Sequence, residues 1–194
     1  MSDTFRFLIR DGLENDIAAC LNLDGSYSTD YVWQMTFQDD LQNYTATFKT
    51  ERLPRAMEVD YALSKRRLQL ALPESQCFLV ASGRAADEAE SEILAEPETL
   101  GFLVMSYDPM HEIARVQDLV VSRIFRRRRI GTRLLRIARQ WAKEQNARQF
   151  TIETQTKNYP AILFCQNSGL TFCGFNDQYF PNQDIAVFFG QALR

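Results

Sequence analysis

The chain has 194 residues, of which 45% are hydrophobic and 24% charged, and a formal net charge of −3; these are the proportions of an ordinary globular domain with enough length for a sizeable core. The mildly negative balance argues against a dedicated nucleic-acid binder, and no apolar run approaches the roughly 18 residues that span a bilayer. The N-terminal stretch carries acids where a secretory signal needs a basic start, so a single cytoplasmic domain over residues 1–194, with no nucleic-acid and no membrane partner, is the expectation.

The chemistry-bearing residues narrow the choice further. Cys20, Cys77, Cys165 and Cys173 form no CxxC pair, and His111 is the only histidine. A zinc site needs clustered ligands, so no metal is expected. Hydrolytic triads would all have to pass through His111. That residue lies in the turn-like stretch Asp108–Glu112, where a surface loop is the simpler reading.

In chain order, Phe5 to Ile9 predicts a strand, followed by a short helix carrying Ile17, Ala18 and Leu21. Between residues 31 and 62, Tyr31–Trp33 and Tyr44–Phe48 have strand character with polar turns between them. Gln76 to Ala81 predicts a buried strand. Gly83 to Thr99 is rich in alanine and acids and reads as an exposed acidic loop. Leu100–Met105 and Ile113–Val121 predict two strands joined at the Asp108–Pro109 turn, a hairpin.

The clearest helix follows. Ile130, Leu134, Leu135, Ala138, Trp141 and Ala142 recur at helical spacing, with Arg133, Arg136, Arg139 and Lys143 on the other face. Phe150–Glu153 predicts a strand and Asn158–Asn167 a helix, with Pro160 in its first turn and Gly169 past its end. Leu170–Phe175 and Asp184–Phe189 predict the last strands. This order suits an α+β (mixed α/β) fold, a mixed sheet with helices packed on it, and not a bundle or a sandwich.

The informative stretch runs from Asp118 to Leu135. A buried strand enters a basic loop, and the loop opens an amphipathic helix. Arg123, Arg126, Arg127, Arg128, Arg129, Arg133, Arg136 and Arg139 crowd this short segment and leave the remainder acidic. A helix start has unpaired N–H groups and partial positive charge, which suits a phosphate or pyrophosphate. Gly131 removes a side chain where backbone must approach an anion, and arginines can reach further phosphates. The GxxxxGK[ST] and GxGxxG patterns are both absent. The uneven charge suggests an anionic ligand here and a cationic one elsewhere.

Arg126 to Gly131 resembles the pyrophosphate signature of the GNAT superfamily of N-acetyltransferases. Glu153-Thr154-Gln155, then Asn158, Ala161, Phe164 and Gly169-Leu170, follow the second half of that pattern. Within the superfamily the likeness extends to the streptothricin acetyltransferases, through Thr156, Asp177, Tyr179, Pro181 and the strand Ile185–Phe189. It covers about the last 80 residues and hardly reaches the first 75.

The resemblance implies a GNAT-like fold, a central twisted, mixed and mostly antiparallel sheet with helices on both faces, and acetyl-CoA as acetyl donor. Its cofactor-binding core would lie over residues 118–174. Leu119, Val120 and Val121 would offer backbone groups to the thioester and pantetheine arm. Arg126, Arg127, Arg128, Arg129, Ile130, Gly131 and Thr132 would hold the pyrophosphate, and Asn158 would bond the cofactor arm. Asp118 and Glu153 are candidate bases, with an ordinary salt bridge or helix-end contact as the bland alternative for each.

Two positions depart from the family. Arg129 stands where glycine is usual, which demands a backbone conformation that tolerates a Cβ. Cys165 stands where a general-acid tyrosine is frequent. A free thiol near pKa 8.5 could protonate the CoA thiolate, as a phenol near 10 does, so a substitute acid and a merely buried residue both stay open.

The expected reaction is direct acetyl transfer to a primary amine of a small cationic molecule, streptothricin-like or polyamine-like. Glu58, Asp60, Asp177 and Asp184 supply charge for such a partner. A protein or peptide amine, a non-catalytic acyl-CoA-binding module, and an arginine helix that meets acidic protein or RNA are the alternatives. A second copy of the chain, forming a homodimer, completes the expected partners.

Overall fold

The computed structural model describes residues 6–73, 76–83 and 97–194. Nine strands and four helices occur among them: β1 Phe7–Asp11, α1 Asp16–Leu21, β2 Tyr27–Asp39, β3 Tyr44–Val59, α2 Lys65–Leu70, β4 Gln76–Gly83, β5 Glu98–Asp108, β6 Ile113–Val121, α3 Ile130–Glu144, β7 Gln149–Gln155, α4 Tyr159–Asn167, β8 Thr171–Asn176 and β9 Ala186–Ala192. Hydrogen bonding orders seven strands as β1-β4-β5-β6-β7-β9-β8, while β2 and β3 form a ladder of their own.

The chain divides into two compact units. The first comprises Met1–Gly25, Tyr61–Thr151 and Ala192–Arg194. Its strands β1, β4, β5 and β6 pair antiparallel, and the expected hairpin between β5 and β6 is present. Phe78, Val80, Phe102, Val104 and Val120 share one face of that sheet and bury it against Ile17, Cys20, Leu68 and Ala71 of the α1 and α2 regions. The alternate residues Leu79, Leu103 and Met105 are equally buried, and α3 contacts β4, β5 and β6. Period-2 alternation therefore gives this sheet two apolar faces, and helices cover both.

The second unit comprises Ser26–Asp60 and Ile152–Gln191. Here β2 and β3 form a hairpin far longer than the two short strand fragments that the sequence suggests. An aromatic cluster holds it: the Trp33 ring lies 5.8 Å from Phe48, 5.9 Å from Phe172 and 5.7 Å from Phe189. The Trp33 N–H donates to the Thr156 carbonyl at 2.9 Å, and Tyr31 packs its ring 5.4 Å from Tyr159 at the start of α4.

Truncation to Trp33→Ala should therefore cost about 3 kcal/mol of stability, as for other large aromatic deletions. Urea unfolding checks this, and a loss under about 1 kcal/mol would show that the ring carries little of the packing.

Several boundaries differ from the sequence reading. The acidic connection was expected from Gly83 to Thr99, but Gly83 is buried in β4 and Glu98–Thr99 open β5. Residues 84–96 lie outside the described residues. Helix α2 was not expected: its six residues bury only Leu68, too little for an amphipathic period. No helix among the described residues is long and apolar enough to cross a membrane.

Candidate active site

In the first unit, β6 alternates strictly, burying Ala114, Val116, Asp118 and Val120 while the intervening residues stay half-buried. Its last residues pair Leu103 with Leu119, Phe102 with Val120 and Gly101 with Val121. The approach at Gly101 is close. A Cβ there would meet the Val120 carbonyl oxygen at 2.5 Å and the Val121 Cα at 3.1 Å. Gly101→Ala should therefore displace the end of β6 and lower stability by about 1–3 kcal/mol, the usual cost of overpacking. An unchanged thermal midpoint would show that the strands part without strain.

After β6 the chain makes a short 3₁₀ turn, Arg123–Phe125, whose Phe125 is buried. Arg127 and Arg129 then both take left-handed backbone, with φ of 64°. Arg129 thus accepts the conformation that suits glycine, at a cost of about 1–2 kcal/mol for an L-residue. Turns that combine right- and left-handed residues can bring successive N–H groups into a concave anion cradle. Arg129 is also the N-cap of α3 and gives no side-chain cap. The first helical bond runs from Arg133 N–H to the Arg129 carbonyl at 3.1 Å, so the helix offers no acceptor to the N–H groups of Ile130, Gly131 and Thr132.

The arginines divide in their contacts. Arg126 donates through Nε to the Val121 carbonyl at 3.0 Å, and burial lowers its pKa, partly offset by Asp24. Arg128 lies over Phe125, Arg133 over Phe7 and Arg139 over Phe150, at 5.8, 4.8 and 5.7 Å from the ring centroids. Such contacts fix guanidinium groups without neutralising them. The segment thus combines open backbone donors with anchored positive charge, and an anionic pyrophosphate fits that donor set.

Asp118 is 6% exposed. Its Oδ1 accepts from Tyr61 Oη at 2.5 Å and from Arg67 Nη1 at 3.0 Å. No sequence spacing links either partner to it, since they lie 57 and 51 residues away along the chain.

The remaining candidates belong to the second unit. Glu153 accepts a 2.6 Å hydrogen bond from Tyr179 Oη. Asn158 is the N-cap of α4, and its Oδ1 accepts from the Ala161 N–H at 3.1 Å. That bond leaves the Asn158 amide nitrogen as the donor with which the side chain could bind a ligand. Cys165 is fully buried on α4, and desolvation pushes its thiol up to about 12. Asp184 is already ion-paired with Lys157 at 2.5 Å. No group of three or more His, Cys, Asp or Glu side chains placed to hold a metal occurs among the described residues.

Comparison with known proteins accords with this geometry. The profile of the Acetyltransferase (GNAT) family matches residues 33–170. The chain belongs to that family. It is 26% identical to a streptothricin acetyltransferase of Streptomyces lavendulae over 177 residues, 89% of this chain and 85% of the relative. Its fold matches a crystal structure of nourseothricin acetyltransferase with a TM-score of 0.78 and 21% identity, over 97% of this chain and 99% of that one. A Bacillus anthracis protein assigned as a streptothricin acetyltransferase, solved with acetyl coenzyme A, matches at a TM-score of 0.73 and 22% identity, over 97% of this chain and all of the other. These neighbours establish the GNAT fold, the mixed sheet with helices that the sequence resemblance implied.

Proposed function

We propose that this chain is an acetyl-CoA-dependent N-acetyltransferase acting on a primary amine of a small cationic molecule of the streptothricin or polyamine kind. The observation that carries this reading is the left-handed arginine loop and open start of α3, which follow a strand bearing the buried carboxylate of Asp118 in the same unit. The names of its streptothricin-acetylating relatives support the acceptor class. We place the activity in the cytoplasm, in one functional domain over residues 1–194 with its cofactor-binding core at 118–174.

Acetyl-CoA, when bound, supplies an activated acetyl thioester. The backbone N–H groups of Ile130, Gly131 and Thr132 and the side chains of Arg126 to Arg129 would hold its pyrophosphate. Backbone groups of Leu119 to Val121 would align the arm. Net chemistry is one C–N bond formed, one C–S bond broken and one proton moved from nitrogen to sulfur. Asp118 is the group that would receive the ammonium and take its first proton, freeing the lone pair before the nitrogen bonds to carbon; that proton passes on to solvent, and the second is the one that reaches sulfur. Glu153, in the second unit, remains the other candidate base and is hydrogen-bonded to Tyr179.

Cys165 has two readings, and its burial favours the packing role. A thiol pushed to about 12 is a weak donor towards a thiolate of ordinary basicity. Cys165→Ala should keep turnover within about threefold of wild type, far from the 10²–10⁴ of a lost general acid. A hundredfold fall in kcat with unchanged thermal stability would restore the acid role.

An amine panel tests the acceptor class. Thiol release should be faster with streptothricin or polyamines than with short peptides, and the acceptor KM should rise with salt. Preference for peptides at every salt concentration would redirect the reading to a protein amine.

A further inference from the structure

We propose that Tyr61 and Arg67 are positioning residues for Asp118, fixing its carboxylate so that one oxygen stays available to the acceptor amine, a role that rests on the reading of Asp118 above. The surroundings make a carboxylate conspicuous here. Asp118 lies on the buried face of β6 between Val116 and Val120, and Val120, Val104 and Leu68 belong to the apolar cluster over that face. An apolar side chain would pack at such a position at least as stably as a buried ion pair. The charge is therefore better explained by a use than by stability.

The hydrogen bonding is lopsided in a way that suits that use. Both donors, Tyr61 Oη and Arg67 Nη1, converge on Oδ1. Among the described residues no donor is bonded to Oδ2. Two donors on one oxygen fix the rotation of the carboxylate plane and hence the direction of the other oxygen. A group held in this way loses little freedom when its ligand arrives.

Tyr61 is itself well seated. It packs, half-buried, on the apolar cluster. A Cβ at Gly25 would stand 3.2 Å from the Tyr61 Cβ and 3.3 Å from Val120 Cγ1, so the absence of a side chain at Gly25 gives the tyrosine its room. The next residue back along the chain, Asp24, accepts through its carbonyl from the Arg123 N–H at 3.0 Å. Residues 24, 25 and 61 of the first unit are thus held against the end of β6 and the turn that follows it.

A double-mutant cycle on the full chain tests this. Tyr61→Phe keeps the ring and removes the hydroxyl; it should lower kcat/KM for the amine about tenfold or more, with the acetyl-CoA KM within about twofold. In an Asp118→Asn background the same change should have almost no further effect, because contacting residues that act as a unit are non-additive. Arg67→Lys should recover part of the activity lost in Arg67→Gln, whereas a purely structural defect would follow thermal stability in all variants. Independent, additive losses from Tyr61→Phe and Asp118→Asn would overturn the positioning role while leaving the transferase reading intact. Absence of amine-dependent turnover in the wild type would overturn both.

Discussion

Gly131→Asp is expected to weaken acetyl-CoA binding at least about a hundredfold without lowering thermal stability. The two effects separate because they have different physical origins. Gly131 lies in the first turn of α3, where the helix supplies no acceptor for the N–H groups and the N-cap gives no side-chain bond. An aspartate in that turn interacts favourably with the helix dipole by about 0.3–1 kcal/mol and replaces the poorest non-proline helix former. The fold should be as stable as before, or slightly more so. A carboxylate there would nevertheless sit where the proposed pyrophosphate binds, and two like charges about 4 Å apart repel by roughly 4 kcal/mol at the effective dielectric of a protein surface. Calorimetric titration measures the affinity and a thermal scan the stability. Unchanged affinity in a folded variant would remove the start of α3 from the cofactor site.

Asp118→Asn should lower kcat/KM for the amine by about 10²–10³, within the 10²–10⁴ range for a lost general base, while acetyl-CoA affinity stays within about twofold. The substitution preserves shape and removes the charge. It also replaces an acceptor-only group with one that offers an NH₂ towards Tyr61 or Arg67. Some stability is lost with the ion pair, but the Arg67 side chain is 39% exposed and its guanidinium can turn to water, which limits that loss. A pure binding defect would raise the acceptor KM alone; loss of both docking and proton acceptance lowers kcat as well. Steady-state kinetics with each substrate varied in turn distinguishes these outcomes, and unchanged turnover would take Asp118 out of the mechanism.

The parts of this account that the sequence made legible are local ones. Helix α3 has a strong 3.6-residue period, and β6 and the arginine loop are contiguous, so strand, cradle and helix could be read from one stretch. The β5–β6 hairpin was legible from its turn residues. The long β2–β3 hairpin was not. Most of its residues are exposed, so the alternation that marks a half-buried strand is weak, and its stability comes from Trp33, Phe48, Phe172 and Phe189, far apart in the chain.

The site was legible to the same extent and for the same reason. Asp118 stood out as a carboxylate at the end of a strand, but no spacing rule links it to Tyr61 or Arg67, whose meeting with it depends on the packing of α2 and its approach on β6. The arginine run showed its charge but not its contacts. Arg133 and Arg139 lie over Phe7 and Phe150, rings supplied by other strands. Arg129 answers the question raised by the missing glycine: it adopts a left-handed backbone that suits glycine and carries its Cβ there.

The central claim is that the strand-loop-helix segment holds an acetyl donor whose acetyl group passes directly to an amine. Single-turnover transfer from acetyl-CoA labelled with carbon-13 at the carbonyl, followed by NMR with streptothricin as acceptor, tests it most directly. The label should move to an amide of the acceptor as thiol is released in equal amount, and Asp118→Asn should slow this step by about 10²–10³. Label that remains on bound acetyl-CoA, or that leaves only as free acetate at a rate indifferent to the amine, would contradict it.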